Sequence, residues 1–281
     1  MWPLDPPLIA ARDSYLACVS STQDRPRRAR LLAATDAVDQ AATRFRHAVQ
    51  TGRVCSLVTD DYQVPGIRAT EAVTWTYRNG MVNTGRGREI YQQIMAAPPY
   101  ERCPLCGHGI VRTLDHYMPK SSFPALCVTP DNLVPACGDC NHIKGEKAPA
   151  SPETTLLHPY FDRIDNVSWL GARVIRETPP RLEFHVKPVG TWTQELTERV
   201  RHHFRLFGLA MRYAPPANSL INDIRRRIAA LFECGGASLV RDYLHDEADT
   251  RLATRRNGWE GVTYRALAED DWFCSQGFTT C

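Results

Sequence analysis

From Arg27 to Thr51 apolar residues return at helical spacing, at Leu31, Leu32, Val38, Ala41, Ala42, Phe45 and Val49, and Gly52 stands where a helix would end. The spacing predicts one helix there and a second over Arg86–Ala97, stopped by Pro98 and Pro99. The first 100 residues therefore read as mainly helical, with the stretch around Asp60–Ile67 unassigned. Downstream, Ala172–Ile175 and Arg181–Val186 alternate as strands do, and Thr178-Pro179-Pro180 suggests the turn between them. Helical spacing resumes over Glu195–Tyr213 and Asn218–Phe232, separated by Pro215-Pro216, with a further helix over Ala237–Ala253. The last 25 residues carry no clear period, and no internal repeat is visible.

Between Cys103 and Pro149 the texture changes to closely spaced Cys, Pro, Gly, Asp and Asn. Such a stretch buries little apolar surface and calls for another source of stability. The expected organisation is a helical region over 1–100, a small loop-rich module over 101–165, and a β-hairpin followed by helices over 166–281. The fold class is α+β, mainly helical.

Composition narrows the function classes. The chain has 281 residues and is 43% apolar, enough for a substantial core. Its net charge of +3 says nothing by itself about a polyanionic partner. No run of residues approaches the roughly 18 to 20 apolar positions of a membrane span, so no membrane role is expected. The N-terminus MWPLDPPLIAARDS lacks the basic start and long apolar core of a signal peptide, so the ten cysteines read as reduced and cytoplasmic.

Four of those cysteines form two C-x-x-C knuckles, Cys103-Pro-Leu-Cys106 and Cys137-Gly-Asp-Cys140. Each offers two thiolates to one tetrahedral ion, for which Zn²⁺ is the natural occupant. Four thiolates fill zinc's coordination sphere, so this zinc is structural and any chemistry sits elsewhere. Cys18, Cys55, Cys127, Cys234 and Cys274 read as small apolar residues, and Cys281 is terminal.

Between the knuckles run Leu114-Asp115-His116-Tyr117 and Asp131-Asn132-Leu133-Val134-Pro135, and Asn141-His142-Ile143-Lys144 follows the last cysteine. Over Cys103–Lys147 this order resembles the HNH endonuclease family, with its DH pair, central Asn, and Asn or His after the last cysteine. The resemblance implies a ββα-metal module, a hairpin and a helix clasping one divalent ion. It implies Asp115 and Asn141 as oxygen ligands of Mg²⁺ or Mn²⁺, and His116 as the base that deprotonates water. Asn132 falls at the central position, which in this family more often braces the loop presenting the base than touches substrate. His142 is a rival to Asn141, one residue further on. His158 and Asp162 are close enough in sequence to fold back on the site, as accessory or as structural residues.

The expected substrate is DNA, with RNA not excluded. Lys144 and Lys147, just past Asn141, are candidate phosphate contacts, as is Lys120. Basic runs elsewhere offer grip, at Arg25, Arg27, Arg28 and Arg30, and at seven arginines over Arg199–Arg227, of which Arg225, Arg226 and Arg227 are the chosen group. Solvated surface is the competing reading of each. His202 and His203 read as surface residues, and Trp169, Trp192, Phe204 and Phe207 as core. The expected activity is metal-dependent phosphodiester hydrolysis, in a bacterial antiphage or restriction setting with a regulatory partner or self-association. The alternative is a non-catalytic zinc module binding nucleic acid or protein.

Overall fold

The computed structural model describes residues 1–83 and 85–280, and Cys281 falls outside the described residues. The protein is mainly helical with two small antiparallel sheets, and it divides into two compact units, Met1–Arg163 and Ile164–Cys281. Of the regions expected as 1–100 and 101–165, residues 1–163 fall in the first unit and Ile164 opens the second. No helix among the described residues is long and apolar enough to cross a membrane.

In the first unit, α1 (Ala11–Ser20) precedes α2 (Arg25–Ala33) and α3 (Thr35–Gln50). The helix expected from Arg27 is thus two. Asp24 caps α2 by accepting from the Arg27 N–H, and Pro26 sits in the first turn, where its missing N–H costs nothing. A short α4 (Ala69–Ala72) leads into a π-helix over Val73–Asn83, and α5 (Gly85–Met95) follows. Asp60–Ile67 is 3₁₀ and turn structure.

Strands β1 (Thr113–His116) and β2 (Leu133–Ala136) pair antiparallel, Asp115 opposite Val134 and His116 opposite Leu133, and α6 (Gly138–Lys144) follows directly. The N-terminal segments bond to the loops around this hairpin and helix. The Trp2 N–H donates to Pro104 O (2.7 Å), the Leu4 N–H to Pro159 O (2.9 Å), and Ser14 Oγ to Val128 O (2.7 Å). Arg46 forks onto Asp131 (2.6 and 3.1 Å), and Phe45, Tyr117 and His158 pack together in the core.

The second unit opens on a hairpin, β3 (Leu170–Ile175) with β4 (Arg181–Val186), as the alternation predicts. Asn257 holds it, accepting from the Trp169 and Leu170 N–H groups and donating to Val167 O. Helix α7 (Gln194–Leu206) ends at Gly208, whose φ of +58° ends the helical path at little steric cost. The break expected at Pro215-Pro216 is therefore misplaced. Both prolines lie inside α8 (Leu209–Thr254), whose buried stripe of Tyr213, Ala217, Ile221, Ile224 and Ile228 outweighs the two missing N–H donors. Interruption comes instead at Gly235 and Gly236 (φ +64°). The uncharacterised C-terminal residues form α9 (Trp259–Ala268) and α10 (Asp271–Ser275).

Candidate zinc centre and active-site cleft

The four knuckle cysteines converge, with all their Sγ atoms within 4.8 Å of one another and every residue buried. Cys106 and Cys137 Sγ stand 3.9 Å apart. The surrounding backbone is arranged to receive thiolate charge: the Gly109 N–H donates to Cys106 Sγ (3.3 Å) and the Cys140 N–H to Cys137 Sγ (3.5 Å). A Cβ at Gly109 would fall 2.8 Å from Cys137 Sγ, so the cradle closes tightly only around glycine. Four thiolates at this spacing need a cation, and the cluster could hold a zinc ion. Among the remaining cysteines Cys18, Cys127 and Cys274 are buried and Cys55 partly so, while Cys234 is exposed.

Beyond the cysteine cluster, β1, β2 and α6 form a hairpin followed by a helix, with a cleft of about 330 Å³ lined by β1 and α6. Asp115, His116 and Asn141 all line it, together with Lys120, Tyr77 and Glu146. His116 is buried, and its Nε2 lies 2.9 Å from the Cys127 carbonyl. A carbonyl only accepts, so the ring proton resides on Nε2 and Nδ1 carries the lone pair. Burial, then the charge of Lys120, pushes this imidazole down to about 3, and it is neutral at pH 7. Tyr77, from the π-helix, meets the ring edge-on with centroids 4.5 Å apart.

Asp115 is buried as well. Burial pushes its carboxyl up to about 6, against the pull of Lys144 and Lys120. Lys144 turns inward instead of outward to phosphate: its Nζ donates to the His116 carbonyl (2.6 Å) and stands 3.2 Å from Asp115 Oδ2. Lys147, by contrast, is exposed beyond α6. Asn141 is half-buried in the cleft, and its rival His142 lines the same cleft from an exposed position.

Asn132 is fully buried and away from the cleft lining, with its amide spent on backbone. Its Oδ1 accepts from the Met118 N–H (2.6 Å), and Nδ2 donates to Met118 O and Leu126 O. It braces the chain leaving β1. His158 is likewise core, its Nε2 donating to Asp131 O (3.0 Å), while Asp162 accepts from the His158 backbone N–H.

The run Arg25, Arg27, Arg28 and Arg30 does not line this cleft, and the run over Arg199–Arg227 belongs to the second unit. Arg225, Arg226 and Arg227 are exposed on α8, with Arg227 stacked 4.7 Å over the Tyr243 ring. Arg199 is buried, Arg201 pairs with Glu198, and Arg212 donates to Phe207 O. Near the start, Arg27 lies 4.0 Å over Trp75 and shares Glu71 with Arg30. His203 is buried beside Phe207, not at the surface, and Trp169 and Phe207 are core. Phe204 is half-buried and Trp192 only partly covered. Tyr77 and Glu146 carry no signal in the sequence. One lies in an irregular helix without a period, and the other follows Gly145 where α6 has ended.

No protein-family model matches the chain, and no solved structure does. It is 30% identical over 213 residues to protein ea31 of Escherichia phage lambda, a match covering 70% of this chain and 71% of that protein. The chain belongs to the family of protein ea31.

Proposed function

We propose that the chain is a metal-dependent HNH endonuclease that hydrolyses phosphodiester bonds, most of all in DNA. The observation that carries this reading is the meeting of Asp115, His116 and Asn141 in one cleft lined by a hairpin and helix rooted in four cysteines. Asp115 and Asn141 offer the oxygen donors that suit a hard divalent ion, and they would hold it. When bound, Mg²⁺ or Mn²⁺ would acidify water and take up charge developing on phosphate and leaving oxygens. His116 Nδ1 takes the proton, its ring held by the Cys127 carbonyl and the edge of Tyr77. Lys120 lines the same cleft and would meet a phosphate oxygen. The relative's name states no activity, so the reading stands on the site, and the antiphage or restriction setting on the HNH resemblance. A reducing cytoplasm suits four zinc-binding thiolates.

Purified protein incubated with plasmid DNA, linear DNA and RNA, with Mg²⁺ or Mn²⁺ added, tests this. Cleavage is expected, and His116→Ala should lower its rate by roughly 10²- to 10⁴-fold. Cleavage that survives His116→Ala sinks the assignment.

One observation favours a second reading. Asp115 already has a cation, the buried ammonium of Lys144. A non-catalytic zinc module binding nucleic acid or a partner protein needs nothing more. Calorimetric titration with Mn²⁺ separates the two, since the nuclease takes up a second ion at the cleft and the zinc module does not.

A further inference from the structure

The unit Ile164–Cys281 holds a concavity of about 420 Å³. Its floor includes Leu170 of β3 and Val262 and Ala266 of α9. Arg265 and Glu269 also line it, and with Val262 and Ala266 they recur at helical spacing, so α9 presents one face to the cavity. His185 and Lys187, two apart at the end of β4, share a side of the sheet. Gly171, opposite His185, makes that arrangement possible: a Cβ there would come within 2.7 Å of Lys187 Cγ and 2.8 Å of His185 Nε2. Arg256, beyond the end of α8, completes the rim.

Three cations thus face one carboxylate, Glu269, before His185 is considered. Arg265 is shared with Asp249, but Lys187 and Arg256 are exposed and make no ion pair among the described residues. A cationic rim above an apolar floor, in a volume typical of small-ligand sites, matches a flat ring carrying phosphate. We infer that this cavity binds a nucleotide, its phosphate held by Lys187, Arg256 and Arg265 and its base on the apolar floor. The nucleotide is free or is one residue of a nucleic-acid strand. This site lies within the second unit and does not depend on the nuclease reading.

Calorimetry on the full chain in low salt, without added Mg²⁺ or Mn²⁺, uses deoxyadenosine monophosphate in one arm and a short single-stranded oligodeoxynucleotide in the other. The expected result is saturable binding that Lys187→Ser with Arg256→Ser weakens at least about tenfold. Glu269→Gln should tighten it severalfold. Damage to the fold cannot produce both signs. Binding of the mononucleotide identifies a free nucleotide as sufficient, and binding of the oligonucleotide alone, with the same responses, identifies a strand. The inference is overturned if neither probe binds, or if whatever binds is indifferent to all three substitutions.

Discussion

The two hairpins use opposite designs. In β3 and β4 the strands are six residues long, β4 alternates buried and exposed positions, and the outer face carries the exposed Arg173–Glu183 pair at 2.6 Å. In β1 and β2 the strands are four residues long and every position from Leu114 on is buried. Asp115 and His116 therefore sit where burial opposes their charged forms, and Lys144 and the Cys127 carbonyl offset part of that cost. The first hairpin is too short to stand on its own pairing and rests on the cysteine cluster at its root. Buried polar side chains occupy the hairpin with the shorter strands, and the longer hairpin keeps its charged pair at the water-facing side.

Emptying the four-cysteine cluster of the zinc it could hold is the strongest way to break this contrast. A chelator, or Cys103→Ser with Cys137→Ser, should remove on the order of 10 kcal/mol of metal-linked folding free energy from the first unit. Thermal melts followed by circular dichroism should then show its transition lost, while that of Ile164–Cys281 persists. Identical melts with and without zinc would remove the basis of the comparison. Next in size, Lys144→Met leaves a buried carboxylate alone and should cost about 3 to 5 kcal/mol in denaturant unfolding at pH 8. Adding Asp115→Asn should restore most of that loss.

Acid should discriminate between the hairpins too. His116 is held well below its unfolded value of 6.5, so its contribution is fully present above that pH and is lost as pH falls toward 3. The slope is up to about 1.4 kcal/mol per pH unit, and wild type compared with His116→Gln across that range isolates it. Asp115, held up, tilts the other way between about 6 and its ordinary value, which the same comparison leaves unchanged. Smallest of all, Glu183→Ala on the exposed pair of the second hairpin should move stability by less than about 1 kcal/mol.

What the residues announce in advance follows the same division. Cys103, Cys106, Cys137 and Cys140 are legible because a tetrahedral ion demands fixed spacing, and β4 because one face meets water. The Asp115-His116 strand is visible only through the motif, since burial on both faces erases the period of two. Lys144 reads as surface because its position after Asn141 says nothing of which way its side chain turns, and only tertiary packing brings its Nζ to Asp115. Tyr77 is hidden by the π-helix, whose wider turn places residues on faces that helical spacing does not predict. Pro215 and Pro216 mislead because local propensity is a weak prior against a buried stripe as long as that of α8.

The backbone bond from Leu4 to Pro159 joins the two ends of the first unit. On a ribosome, that closure waits for nearly the whole unit to emerge, roughly 10 to 30 seconds at ordinary elongation rates. For much of that interval the α3 segment is out without the residues that cover Phe45 and pair Arg46, and the second cysteine knuckle, Cys137 and Cys140, appears only late in it. An ion held by all four cysteines therefore cannot be taken up before Cys140 has emerged, and the Leu4 to Pro159 closure comes later still.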